Sequence, residues 1–175
     1  MSISAIDLFC GVGGLTHGLQ QSGVKVIAGY DIDEKCRLPY ESNNDSNFIN
    51  ESVSSIVANQ ISSDFLNAKI KLLAGCAPCQ PFSNYTQARS KDSRWSLLDE
   101  FGRLATELNP ELVTMENVPE LHKHSVFLDF VSTLESLGYY VTHSVAYCPD
   151  YGIPQSRKRL VLMASKFGPI LPIKP

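Results

Sequence analysis

Short apolar runs set apart by helix-sized stretches constrain this chain more than any other feature of it. Ser4 to Phe9, Val26 to Tyr30, Phe48-Ile49, Ile70 to Ala74, Leu112 to Met115, Tyr139 to Tyr147 and Leu160 to Ala164 read as strands. Between them lie helical patterns. Leu15, Leu19 and Val24 fit the apolar face and end of a helix closed by Gly23. Residues 34–43 read as a helix that Pro39 must kink or shorten. Val53, Ile56 and Val57 suggest a short helix. Leu97 to Leu108 is amphipathic and stopped by Asn109-Pro110, and Phe127 to Leu137 is capped by Gly138. Alternation at this spacing predicts an α/β fold: a doubly wound, mostly parallel, Rossmann-like sheet with helices on both faces. Only a polar loop separates the last two strands, so they are expected to pair antiparallel at one edge.

The 175 residues suffice for one domain with a real core, and 43% hydrophobic with 19% charged residues is a globular composition. No apolar run approaches the roughly 20 residues of a membrane helix, and no signal segment opens the chain, so a cytoplasmic location is the default expectation. Five cysteines, an odd number, are read as thiols rather than a disulfide framework. The net charge of -3 gives no support for nucleic-acid binding, and the one dense basic cluster, Arg157-Lys158-Arg159, is by itself the pattern of a solvated turn. Residues 1–167 form the expected domain. The proline-rich 168–175 reads as a linker or the start of a further region.

The fourth apolar run stops at Gly75 and opens into Cys76-Ala77-Pro78-Cys79-Gln80-Pro81-Phe82-Ser83. A cysteine just past the carboxyl end of a strand lies where open α/β sheets place their chemistry. Cys76 and Cys79 also form a Cys-x-x-Cys, but redox chemistry of that kind needs both thiols at a helix start, and a polar loop follows here. A zinc site lacks a second pair of ligands at the right spacing, and His122 and His124 read as surface residues. Cys76 reads as a small buried apolar side chain, which leaves Cys79 as the candidate nucleophile. The stretch from Pro78 to Ser96 is a long polar loop of the kind that carries function. Glu116, after the fifth run, is either a helix cap or an acid of raised pKa. Arg157 and Arg159 alternate into the last strand and can face the same way.

Gly11-Val12-Gly13-Gly14 lies between the first strand and the first helix, where nucleotide-type cofactors bind. The dinucleotide fingerprint fails, because position 16 is Thr16 and the next glycine is Gly18. With Asp31 placed to accept from ribose hydroxyls, the turn favours a nucleoside cofactor without a pyrophosphate. The alternative is a structural turn beside a surface aspartate.

Four stretches together, Asp7 to Gly14, Pro78 to Ser83, Glu116-Asn117-Val118 and Gln155 to Arg159, resemble in order and spacing the DNA (cytosine-5) methyltransferase family, over about Ile3 to Ser165. The resemblance implies the S-adenosylmethionine-dependent methyltransferase fold, with S-adenosyl-L-methionine on the glycine turn and S-adenosyl-L-homocysteine as product. It implies cofactor contacts from Phe9, Gly11, Val12, Gly13, Gly14, Asp31, Ile32, Ser52, Val53, Pro78 and Leu97, with Ser52 in the apparent place of an acid the family usually carries. It further implies Cys79 as nucleophile towards ring carbon 6 of cytosine, Glu116 at ring nitrogen 3, and Arg157 and Arg159 as electrostatic stabilisers. Double-stranded DNA would be the partner, the base flipped out of the helix. Gln80, Ser83, Arg89, Lys91, Arg94 and Gln155 would make nucleic-acid contacts, most of them on a lid running from Gln80 to Ser96. A restriction–modification setting accompanies such enzymes.

The family continues with a target-recognition region and two more motifs after the arginine motif. The chain is therefore expected to be the catalytic half of an enzyme, a truncated copy, or one subunit of a pair whose second chain supplies the rest. By itself it is expected to bind DNA poorly and turn over negligibly. The alternative functions are methylation of cytosine in RNA and an inactive domain that binds cofactor or a partner chain.

Overall fold

Among the described residues, seven strands form one sheet: β1 (Ile3–Leu8), β2 (Lys25–Asp31), β3 (Asn47–Asn50), β4 (Ile70–Gly75), β5 (Leu112–Asn117), β6 (Tyr140–Tyr147) and β7 (Lys158–Ser165), in the order β3-β2-β1-β4-β5-β7-β6. The structure is a computed structural model and describes residues 2–65, 68–78 and 96–172. Strands β1 to β5 run parallel. β7 enters antiparallel between β5 and β6, so the expected antiparallel pair exists but only β6 forms the edge.

The helices are α1 (Gly14–Gln21), α2 (Arg37–Asn43), α3 (Ala58–Asp64), α4 (Ser96–Leu108) and α5 (Ser125–Ser136). Alternate residues of β1 feed two cores. Ala5, with Val26, Leu72 and Ala74, packs under Leu15 and Leu19 of α1. Ile6 and Leu8, with Leu73, Val113 and Met115, join Phe101 and Leu104 of α4 and Phe127 and Phe130 of α5. Both faces are thus covered, which is why β1 is buried almost throughout. None of the described helices is long and apolar enough to cross a membrane.

Two expectations change in detail. Pro39 sits in the first turn of α2, where its missing N–H has no intrahelical partner to lose, and a separate 3₁₀ turn, Glu34–Cys36, precedes it. No helix forms over Val53, Ile56 and Val57. Val53 and Ile56 are buried in a turn before α3, and their carbonyls accept from the Arg103 guanidinium at 3.4 and 3.1 Å. Arg103 supplies the partners that a helix would have provided, so a helix-like apolar spacing is satisfied without one.

The chain winds outward from β1 to β3 and then returns to β4 on the other side of β1. This reversal opens a crevice at the carboxyl ends of β1 and β4, the usual place for a ligand in such sheets. Gly75 makes the close approach possible there: a Cβ on it would fall 2.9 Å from the Leu8 carbonyl oxygen. The Cys76 N–H then donates to that carbonyl at 3.2 Å. The loops after β1 and β4 leave the sheet side by side.

Candidate functional site

The first wall of the crevice is the turn after β1. Phe9, half-buried, takes a left-handed φ of 58°, a costly conformation for a non-glycine residue, and so redirects the chain out of the strand. Gly11 and Gly13 follow at φ 51° and 89°. The Gly11 N–H donates to Asp31 Oδ2 and the Asp33 N–H to Asp31 Oδ1, both at 2.9 Å, so the carboxylate is held by backbone and keeps lone pairs for a further donor. Ile32 beside it is 75% exposed, Val12 is exposed, and nothing lies within 4 Å of a Cβ built on Gly11 or Gly14. A fixed carboxylate beside bare apolar side chains and open space fits a sugar joined to an aromatic base.

At the end of β3 the Glu51 N–H donates to the Asp31 carbonyl at 3.1 Å. Ser52 is half-buried, its hydroxyl without a partner among the described residues, and Val53 is buried. Glu51 thus lies beside Asp31 along the backbone, and its own carboxyl accepts from the Ser55 hydroxyl at 3.5 Å. Its signal in the sequence is an acid at a strand end, one residue before Ser52. Leu97 lies half-buried in the first turn of α4.

Asp7, beneath the turn, is fully buried. Its Oδ2 accepts the Thr16 hydroxyl at 2.7 Å, and its Oδ1 has no partner among the described residues. Burial pushes its carboxyl up to about 7, the Thr16 hydrogen bonds opposing and the Asp31 charge adding a little. The folded value lies above the ordinary 3.8, so protonation favours the native state; that contribution is complete at low pH and is lost as pH rises from about 4 through about 7. Asp7→Asn keeps an acceptor for Thr16 but cannot ionise. Urea melts at pH 5 and pH 8 should therefore show a flatter dependence for the variant, with a gain over the wild type of up to about 4 kcal/mol at pH 8. Parallel pH profiles would contradict this account of Asp7.

The second wall is the segment after β4. Cys76, Ala77, Pro78, Glu116, Asn117, Val118, Arg157 and Arg159 line a cleft of about 180 Å³. β4 and β5 run in register, Gly75 opposite Met115, which sets Cys76 level with Glu116. Glu116 lies inside β5 and caps no helix; its Oε1 meets Arg159 Nε at 2.5 Å across the β5–β7 pair. This pair is mostly shielded from water, and Arg157, one residue before β7, is exposed at the same mouth. Gln155 is exposed in the loop before β7.

Cys76 is not the fully buried apolar side chain that its position suggested. It is half-buried in the cleft and bonded to Glu116, and burial with that carboxylate pushes its thiol well above the ordinary range. A thiol pushed up in this way is a poor nucleophile near neutral pH. Cys79 follows Pro78 directly, and with Gln80, Ser83, Arg89, Lys91 and Arg94 it lies outside the described residues.

Asn117 ties the segment after β4 to the end of β5 within this second wall. Its Nδ2 donates to the Ala77 carbonyl at 2.8 Å, and its Oδ1 accepts the Val118 N–H at 2.9 Å. Its place in Glu116-Asn117-Val118 does not by itself announce this role. A buried amide at a strand end was the only signal, since its partner is 40 residues away.

The model of the C-5 cytosine-specific DNA methylase family matches residues 3–171. The Type II methylase M.HgiDII of Herpetosiphon aurantiacus is 50% identical over 175 residues, covering 98% of this chain and 49% of the relative. The Type II methyltransferase M.XorII of Xanthomonas oryzae pv. oryzae is 34% identical over 178 residues, covering 97% and 42%. The crystal structure of the S. pombe Dnmt2 methyltransferase superposes with a TM-score of 0.80 at 19% identity, covering 98% of this chain and 52% of that one, a likeness of fold alone. The chain spans about half the length of the curated relatives it matches. The match over residues 3–171, nearly the whole chain, shows that this chain belongs to the C-5 cytosine-specific DNA methylase family.

Proposed function

We propose that this chain carries the catalytic and cofactor-binding half of an enzyme that methylates carbon 5 of cytosine in double-stranded DNA. One observation carries the reading. A cleft that gathers Pro78, Glu116, Arg157 and Arg159 lies directly before Cys79 in the sequence, at the sheet end where the glycine turn leaves β1, in a member of this family.

S-adenosyl-L-methionine, when bound, supplies an electrophilic methyl group and is released as S-adenosyl-L-homocysteine. Phe9, the turn from Gly11 to Gly14, Asp31, Ile32, Ser52, Val53, Pro78 and Leu97 would hold it. Asp31 would accept from the ribose hydroxyls and Ile32 would lie against the adenine, with Glu51 at the adjoining strand end.

The chain's own residues do the rest. The Cys79 thiolate forms a bond to ring carbon 6, and the displaced electron pair makes carbon 5 electron-rich. Glu116 shares a proton at ring nitrogen 3, which keeps charge from building up on the ring. Arg159 fixes the Glu116 carboxyl and, with Arg157, faces the ring carbonyl. Loss of the carbon 5 proton and departure of Cys79 restore aromaticity. A base within a duplex cannot enter a cleft of this size, so the cytosine is extruded; Gln80, Ser83, Arg89, Lys91, Arg94 and Gln155 contact the strand around it. Base choice comes from a target-recognition region, in the same polypeptide or on a second chain. The Type II names of the relatives support a place in restriction–modification.

The test supplies the chain with a target-recognition region and closing motifs, mixed-sequence duplex DNA and methyl-labelled donor. Nucleoside mass spectrometry should find 5-methylcytosine. Label in transfer RNA but not in DNA would move the substrate to RNA, and label on another base would reject the reading. Glu116→Gln should lower kcat by roughly 10²- to 10⁴-fold. Its affinity for S-adenosyl-L-homocysteine, read by calorimetry, should stay at the wild-type value.

A further inference from the structure

Tyr40, fully buried in α2, is the residue on which the glycine turn rests. A Cβ added at Gly13 would fall 2.8 Å from its Cδ2, and one added at Gly29 would fall 2.5 Å from its hydroxyl oxygen. The two glycines together admit one ring between the turn and β2. The Tyr40 hydroxyl lies 3.1 Å from Thr16 Oγ1 and 3.0 Å from Ser46 Oγ, and Thr16 Oγ1 donates to Asp7 Oδ2 at 2.7 Å. A line of hydroxyls therefore joins the loop before β3 to α1 and β1, with the turn suspended across it. On the other side Asn44 Nδ2 donates to the Tyr40 carbonyl at 2.8 Å and lies against Gly13.

A second observation points the same way. Asp7 Oδ1 and Asn44 Oδ1 are buried without partners among the described residues, and both belong to this unit. Buried unsatisfied acceptors destabilise a fold, and an apolar filling would avoid them. An arrangement kept in spite of that cost is expected where geometry matters more than stability.

We propose that Tyr40 is the positioning residue of the cofactor turn: acting through Gly13 and Thr16, it holds residues 10–16 in the form in which the Gly11 N–H reaches Asp31. The link to a cofactor rests on the proposed function; the brace itself does not. Tyr40 touches no reacting atom and acts only through the turn.

Tyr40→Phe keeps the ring and removes the hydroxyl. Without ligand, amide hydrogen exchange in residues 10–16 should speed up about fivefold, the scale of one net hydrogen bond, while β5 and α5 keep wild-type protection. Affinity for S-adenosyl-L-homocysteine, measured on the chain joined to its closing motifs, should fall by a similar factor with KM for DNA unchanged. Thr16→Ser should match the wild type and Thr16→Val should match Tyr40→Phe, which keeps the test open if the tyrosine variant fails to fold. Unchanged exchange in residues 10–16, or a loss of protection spread evenly over the chain, would overturn the proposal. Faster exchange there, with no S-adenosyl-L-homocysteine bound by the wild type, would support the brace and sink the cofactor reading instead.

Discussion

Cys79→Ala, made in the chain supplied with its target-recognition region and closing motifs, is expected to abolish methyl transfer. Removing a covalent nucleophile costs on the order of 10⁵-fold or more, because the remaining groups stabilise a step that no longer occurs. Carbon 5 of cytosine is a weak nucleophile until a bond forms at carbon 6, and neither Glu116 nor Arg159 can make that bond. Cys76 cannot substitute for it. It lies three residues earlier, and burial and the Glu116 carboxylate keep its thiol neutral. The loss should therefore appear in kcat, read as 5-methylcytosine formed per turnover, with affinity for S-adenosyl-L-homocysteine retained. Transfer at the wild-type rate would mean that the addition step is not part of the reaction.

Gly13→Ala should have the second largest effect, and on folding as well as on binding. A side chain at φ 89° costs about 1–2 kcal/mol, and the added carbon meets Asn44 and the Tyr40 ring, a crowding worth roughly 1–3 kcal/mol more. A destabilisation of about 2–5 kcal/mol in urea melts follows, with loss of cofactor binding because the turn cannot keep the Gly11 N–H on Asp31. Gly14→Ala is the control. It has nothing within 4 Å and no left-handed φ, so its melt should stay close to the wild type. Equal melts for the two variants would show that the turn does not rest on Tyr40.

The elements that the sequence made legible are those whose signal is local. The runs at Val26, Ile70 and Leu112 are strands because they are short, apolar and ended by glycine or a charged residue, and the structure extends them by only one or two residues, while the run from Ser4 to Phe9 shifts by one residue to Ile3–Leu8. Val53, Ile56 and Val57 misled because the same spacing suits a buried turn whose carbonyls are taken by Arg103, 50 residues from Val53. The insertion of β7 between β5 and β6 was equally hidden, since strand order is a matter of distant pairing. In the site, Glu116, Arg157 and Arg159 stood out as charges at strand ends, but their meeting in one cleft did not. Asn117, the Cys76 thiol bonded to Glu116, and the Asp7–Thr16–Tyr40 line escaped notice. Each is a polar group whose partner is far away in sequence, and buried polar pairing leaves no periodicity to read.

The most direct test of the central claim, a covalent Cys79 adduct, uses duplex DNA of mixed sequence in which 5-fluorocytosine replaces cytosine. Fluorine at carbon 5 cannot leave as a proton does, so the carbon 6 bond cannot be broken by the normal elimination. The wild-type protein, complete with its target-recognition region and given S-adenosyl-L-methionine, should become bound to this DNA in a complex that survives denaturation, with the modified peptide carrying Cys79. Cys79→Ala should give none. No stable complex from a wild-type protein that methylates ordinary DNA, or a complex that persists in Cys79→Ala, would contradict the account.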